Sequence, residues 1–333
     1  MSSCHNLVSI ITPSFNSAPY IEETYASIAG QTHANWEWLV VDDGSADASP
    51  EMIQRFSAQD SRVRFFRRES RCKGASACRN TGIDHAAGDY LMFLDADDLL
   101  ASSCLEQRVK QMMEKPHLDF AVFNMGRFKE KTGDMEGCVN IYADDAAGYA
   151  KLFLSYRIPW SITCPVWKRS FIVQNAIRFS EQYQRLQDPE FHSKILLRHN
   201  PVFEVFKETA ADCFYRQPNG NKRSSSSALL KTASSVLLYY REMNDVVKQA
   251  DSAREYNSCL DTFAVNIFHS LLFYTRLKQV KPVGNLYREM QKIRTVTTVS
   301  MQKILFFAWM NRLGLTFIKG AGITRIWNMF NSK

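Results

Sequence analysis

Tyr90-Leu91-Met92-Phe93-Leu94-Asp95-Ala96-Asp97-Asp98 is the stretch that decides how this chain is read: five large apolar side chains followed by three carboxylates within four residues. An unbroken apolar run of this length suits a strand covered on both faces, the usual situation in a parallel sheet. Burying even one unpaired carboxylate is expensive, so three gathered at the end of such a strand point to a cation that neutralises them. Ligation by oxygen alone favours Mg²⁺ or Mn²⁺, which keep several waters and complete their shells with substrate phosphates. An isolated aspartate here would more often cap the helix that follows, and Asp98 keeps that reading. Asp95 and Asp97 are the candidate metal ligands.

Working outward, residues 7–12, 36–42 and 63–66 are further short runs rich in Val, Ile, Phe and Trp, and residues 18–29, 48–58 and 75–86 between them read as helices. That alternation predicts βαβ units around a mostly parallel central sheet flanked by helices, an α/β fold of Rossmann-like type. Pro19 suits an opening turn before the first helix, and Asp47 and Ser49 sit where caps for the second would be. Past Asp98 a helix is expected through Leu105 and Val109 to Met113, stopped by Pro116, followed by strands at 118–123, 201–206 and 212–216. Pro218-Asn219-Gly220-Asn221-Lys222-Arg223 and four serines read as a linker, and residues 228–250, 252–278 and 284–293 beyond it show helical spacing without strand signals. The expected domains are 1–220, with a ligand-binding half at 1–105 and a second half at 106–220, and an all-helical extension at 221–333.

The net charge of +7 is uneven: residues 1–220 carry −4 and residues 221–333 carry +11. With 45% hydrophobic and 23% charged residues in 333, disordered and fibrous classes are excluded. Eight cysteines without a CxxC pair, in a chain too large to need staples, fit a reducing, cytoplasmic setting. The N-terminus lacks a basic region before its apolar stretch, so no signal peptide is expected, and no segment has the composition of a membrane span. Residues 276–333 hold eleven Lys or Arg and a single acid, Glu289, interleaved with aromatics such as Phe306, Trp309 and Trp327. Such a segment suits an anionic headgroup layer, against the plainer reading that its apolar residues pack inward. No nucleic-acid motif accompanies the charge.

Ligands of open parallel sheets gather at the carboxyl ends of the strands. Three polar endings meet there: Thr12-Pro13-Ser14-Phe15-Asn16, Asp42-Asp43-Gly44-Ser45 and Asp95-Ala96-Asp97-Asp98. Asp42 either forms the Asp-Asp-Gly-Ser turn or accepts a ligand N–H such as that of a pyrimidine base. Arg79, behind the small-residue run 74–78, has a fork that matches diphosphate oxygens, although a solvated helix charge is an equal reading; Arg71 and Lys73 are weaker candidates.

With these residues in place, the chain resembles the family 2 glycosyltransferases, inverting enzymes of the GT-A fold that use nucleotide-activated sugars. The resemblance rests on 8–16 with its Pro-x-Phe-Asn turn, on Gln31-Thr32, Trp36-Glu37 and 40–47, and on Arg79-Asn80-Thr81-Gly82-Ile83 followed by 87–90 and the Asp95-Ala96-Asp97 motif. It is close over 7–110 and looser to about 220. It implies that Pro13, Phe15 and Asn16 line a nucleoside pocket, that Asp42 meets the base, and that Arg79 and Arg216 approach the diphosphate. It further implies that Asp95 and Ala96 contact the donor and that Asp97, with Asp95, holds Mn²⁺ or Mg²⁺. Gln187-Asp188-Pro189-Glu190-Phe191 resembles the family's Glu-Asp-x-x-Phe segment, with Gln187 in place of Glu. Asp188 is then the implied catalytic base and Glu190 the fallback; without the resemblance, Asp188 reads as a helix cap. Trp167-Lys168-Arg169 falls where relatives contact the acceptor, although a core Trp with flanking charges explains it as well.

The expectation is an inverting transferase moving sugar from a nucleotide sugar, by default UDP-linked, to a saccharide or lipid-linked acceptor for envelope polysaccharide. It would work at the inner face of the cytoplasmic membrane, touching it peripherally through 276–333, with no nucleic-acid partner. Two other classes compete: an aspartyl-nucleophile phosphatase, which also sets Asp-x-Asp after a strand, and an inactive membrane-docked protein of the same fold.

Overall fold

The computed structural model describes residues 6–68, 71–217, 226–249, 253–274 and 280–294. Its first half runs β1 (Val8–Ser14), α1 (Ile21–Ala29), β2 (Trp36–Asp42), α2 (Ser49–Gln59), β3 (Val63–Arg67), α3 (Ala75–His85) and β4 (Tyr90–Phe93), the alternation read from the sequence. There follow β5 (Leu99–Leu100), α4 (Cys104–Glu114), β6 (Phe120–Val122), β7 (Met125–Phe128), α5 (Ala146–Leu154), β8 (Pro165–Lys168), α6 (Arg169–Gln174), α7 (Gln187–Arg198), β9 (Phe203–Val205) and β10 (Cys213–Arg216).

Seven strands form one sheet in the order β3-β2-β1-β4-β8-β6-β9. β1 pairs in parallel with β2 and β4, and β2 with β3, so their carboxyl ends share one rim. β8 runs antiparallel to both β4 and β6 and is the reversed strand in an otherwise parallel sheet. Ile10, Ile11, Leu39, Val40, Leu91, Met92 and Phe93 are wholly buried, as strands covered on both faces require. A second sheet, β5-β10-β7, brings the end of β10 to the turn that follows β4.

Glycines let α3 sit close to the sheet. A Cβ at Gly82 would lie 2.2 Å from Ile11 Cγ2 in β1, and one at Gly88 would lie 2.6 Å from the Leu7 carbonyl oxygen. The tight seat fixes Arg79 and Asn80 at the rim. Asn80 exchanges hydrogen bonds with the Phe179 backbone, donating through Nδ2 at 2.9 Å and accepting at Oδ1 at 3.0 Å, which moors the segment leading to α7.

Two expectations need correction. β4, expected from the sequence over 90–95, stops at Phe93; the Leu94 N–H still donates to the Ile11 carbonyl, and the chain then turns, with the Asp98 N–H donating to the Asp95 carbonyl. Asp98 caps no helix. α4 starts only at Cys104, and the Asp98 carboxylate accepts the Arg216 N–H at 3.1 Å. The start of that helix is displaced because β5 pairs with β10 and takes up Leu99 and Leu100.

The chain divides into two compact units, the first comprising 1–146 and 158–220, the second 147–157 and 221–333. The second contains α8 (Ser226–Lys248), α9 (Ala253–Tyr274) and α10 (Val280–Ile293). Most of α5 belongs to this unit: the Phe153 carbonyl accepts from Tyr239 Oη, the Ser155 carbonyl accepts from Asn266 Nδ2 at 2.7 Å, and Lys151 pairs with Glu255. The residues of the expected linker up to 225, and the basic tail from 295 onward, lie outside the described residues. Among the described residues no helix is long and apolar enough to cross a membrane.

Candidate active site

The shared rim of β1, β2 and β4 opens into a cleft of about 480 Å³. Its walls include Pro13 near the end of β1, Phe15 and Asn16 just after it, Arg79 from α3, and Asp95, Ala96 and Asp97 after β4. Seven residues marked in the sequence thus converge on one cavity. Phe15 is 59% exposed, a large apolar surface left facing the opening. Asn16 takes a left-handed backbone (φ 51°), tolerated by its short polar side chain, and its Oδ1 accepts the Ala46 N–H while its own N–H donates to Ser45 Oγ. The turns after β1 and β2 are thereby locked to one another.

Asp42, Asp188 and Arg216 are not on the cleft wall. The Asp42 carboxylate is buried and accepts the N–H groups of Gly44 and Ser45, the geometry of the turn reading, while Gly44 supplies the positive φ of 89°. Arg216 lies behind the Asp95–Asp98 turn: its Nε donates to the Asp97 carbonyl at 2.9 Å, one terminal nitrogen donates to Glu23 at 2.8 Å, and its plane covers Phe128. α1 supports the same turn, since Thr24 Oγ1 donates to the Ala96 and Asp98 carbonyls.

Asp188 is in the first turn of α7, entered through Leu186 in a left-handed conformation (φ 64°) that a Leu adopts only under constraint. Its Oδ2 accepts the Ile162 N–H at 3.1 Å. Arg79 ties this turn to the rim, donating to Asp95 Oδ1 at 2.6 Å and to Gln187 Oε1 at 2.8 Å. Glu190, in contrast, is fully buried and paired with Lys194, away from the cleft.

Burial and neighbouring carboxylates raise the pKa values of Asp97 and Asp98. Burial pushes Asp97 up, and the Asp95 charge adds to it; Asp98 is held well above its ordinary value first by burial, then by Asp95 and Asp97. Burial lifts Asp188 to about 6, with Arg79 pulling down and Asp95 pushing up. The mutual repulsion of these carboxylates is what a cation would relieve. Among the described residues no three acidic, His or Cys side chains converge into a closed metal cage. Asp95 and Asp97 on an open wall nevertheless fit Mg²⁺ or Mn²⁺, which need few protein ligands when water and phosphate supply the rest.

Asp43, Tyr20 and Arg185 also line the cleft. Sequence reading left Asp43 as turn chemistry, although its place directly after a strand end was a signal; the structure pairs it with Arg68 at 2.5 Å. Nothing in the sequence around Arg185 marks it.

Residues 9–171 match the family described as glycosyl transferase family 2. The putative teichuronic acid biosynthesis glycosyltransferase TuaG of Bacillus subtilis is 38% identical over 115 residues, 34% of this chain and 45% of that protein. The Escherichia coli UDP-Glc:alpha-D-GlcNAc-diphosphoundecaprenol beta-1,3-glucosyltransferase WfgD is 41% identical over 108 residues, 32% of this chain and 42% of that one. The chain therefore spans less than half the length of these relatives. The crystal structure of S. aureus TarS 1–349 in complex with UDP-GlcNAc covers 92% of both chains with a TM-score of 0.66 at 16% identity, a likeness of fold. Residues 9–171, which build most of the sheet and its rim, are thus a glycosyl transferase family 2 segment.

Proposed function

We propose that the chain is an inverting glycosyltransferase that moves a sugar from a UDP-linked donor to a hydroxyl of a saccharide or lipid-linked acceptor in envelope polysaccharide synthesis. The observation that carries this reading is the meeting, at one rim, of an open diacid wall (Asp95 and Asp97) and, through Arg79 and Gln187, the helix turn bearing Asp188. UDP-Glc in the name of WfgD and UDP-GlcNAc with TarS favour UDP as the nucleotide.

Phe15 offers an apolar face for a base, with Pro13 and Asn16 beside it, and Arg79, its terminal nitrogens held by Asp95 and Gln187, lends positive charge to the same cavity. Asp42 orders the turn next to this pocket, and contact with the base is its further proposed role. Arg216 fixes the turn that displays Asp97. An acceptor hydroxyl attacking the anomeric carbon from the face opposite the nucleotide must lose a proton, and Asp188, raised to about 6, is ionised and able to take it near neutral pH. A single displacement inverts the anomeric centre. A divalent ion held by Asp95 and Asp97 would supply charge neutralisation for the departing diphosphate. Attachment to the membrane surface through 276–333 would bring the cleft to lipid-linked acceptors.

The test is a thermal-shift series with UDP, UDP-Glc, UDP-GlcNAc and GDP-mannose, each with and without Mn²⁺. A ligand that binds the native state raises the melting point, by about 2.7 kcal/mol of stabilisation at a hundredfold excess over Kd. The expected result is a shift with uridine nucleotides that grows with Mn²⁺ and loses that increment in Asp97→Asn. No shift with any nucleotide under either condition overturns the reading.

A further inference from the structure

The side chain at 187 is an amide between two groups of opposite demand. Gln187 Oε1 accepts from Arg79 at 2.8 Å, and Gln187 Nε2 donates to the Tyr183 carbonyl at 3.1 Å. A guanidinium only donates and a carbonyl only accepts, so the orientation of the amide is dictated, and a carboxylate could satisfy one end alone. Arg79 is 3% exposed, lies against the Phe179 ring, and has Asp95 as its ionic partner.

We propose that Gln187 is a positioning residue for Asp188: its uncharged amide holds Arg79 between the end of β4 and the first turn of α7, leaving the guanidinium's charge to the two aspartates. This rests on the reading of Asp188 as the base. The groups facing Asp188 are the Ile162 N–H, Arg79 from α3, Asp95 beyond β4, and, on its own helix, His192, whose Nδ1 bonds the Asp188 carbonyl and whose pKa burial lowers to about 3. Arg79 is the cation in this set and opposes the effect of burial on Asp188. A glutamate at 187 would put a second anion against Arg79 and beside Asp188, and would set an oxygen against the Tyr183 carbonyl. Asp188 would then hold its proton to higher pH.

The experiment is a carboxyl-carbon NMR titration of the full chain labelled with ¹³C-aspartate, in EDTA, with the Asp188 signal assigned by its loss in Asp188→Asn. The expected wild-type midpoint is about 6, and Gln187→Glu should move it up by about one pH unit or more. A folded Gln187→Glu whose midpoint stays within about 0.2 unit of wild type overturns the proposal, since electrostatic coupling on this scale could not then exist. If Gln187→Glu does not fold, Arg79→Gln reads the same coupling: removing the cation should raise the midpoint, and an unmoved midpoint overturns the proposal. The titration needs no substrate, so it separates failure here from failure of the transferase reading. Where transfer is measurable, the acid limb of the kcat/KM profile should follow the midpoint.

Discussion

Asp188 is held ionisable against its surroundings, and that has a consequence for stability as well as for proton transfer. Its folded pKa of about 6 stands above the ordinary 3.8, so the folded state binds the proton more tightly than the unfolded chain does. The destabilisation is absent below about pH 4, grows as pH rises through 6, and levels off above it at roughly 3 kcal/mol. Asp188→Asn is therefore expected to abolish transfer yet melt higher than wild type at pH 8, with the difference closing at pH 4, as a pair of melting series would show. A lower melting point at pH 8 would mean that the carboxylate is stabilised by partners rather than isolated. Much of the cleft was legible one residue at a time because Pro13 closes a strand and Phe15, Asn16 and Asp95–Asp97 follow strand ends, where the chain leaves the sheet at the ligand rim. Arg185 and the amide bridge of Gln187 were not, because their roles depend on which carbonyl or guanidinium the fold sets opposite them, and local sequence does not encode that.

At the scale of elements, α3 delivers Arg79 and Asn80 only because Gly82 lets it close on Ile11 of β1. Gly82→Ala would force a methyl into wholly buried space, and overpacking of this kind costs about 1–3 kcal/mol. The expected outcome is a lower melting point together with weaker UDP binding, since the helix must lift away from the rim; an unchanged melting point would show that Ile11 can move aside. The strands β1 to β4 could be read because each is a dense apolar run bounded by turn residues. β8 could not: four residues leading straight into α6 give no period to detect, and its reversed direction is set by pairing on both sides with β4 and β6. β7 and α5 were missed for a similar reason, being short elements in the least regular third of the sequence.

For the molecule as a whole, charge is the long-range feature: the excess of +11 in 221–333 against −4 in 1–220 makes one end cationic. Vesicles rich in anionic lipid are expected to float the full chain and to float a chain ending at 294 much less, with added salt weakening the association. Equal flotation of the two would remove the tail from the membrane reading. The division of the chain into units was only partly visible beforehand, since composition marks the serine-rich stretch near 220, whereas the membership of 147–157 in the helical unit follows from contacts made about 80 residues later. That membership bears on how the protein is made. α5 leaves the ribosome well before Tyr239, whose hydroxyl donates to its Phe153 carbonyl, and before Phe263, against which Tyr156 just beyond it packs. At about 5–20 residues per second, Phe153 waits roughly 4–17 s for Tyr239. Over that interval the nascent polypeptide carries α5 without the later helices that complete its unit.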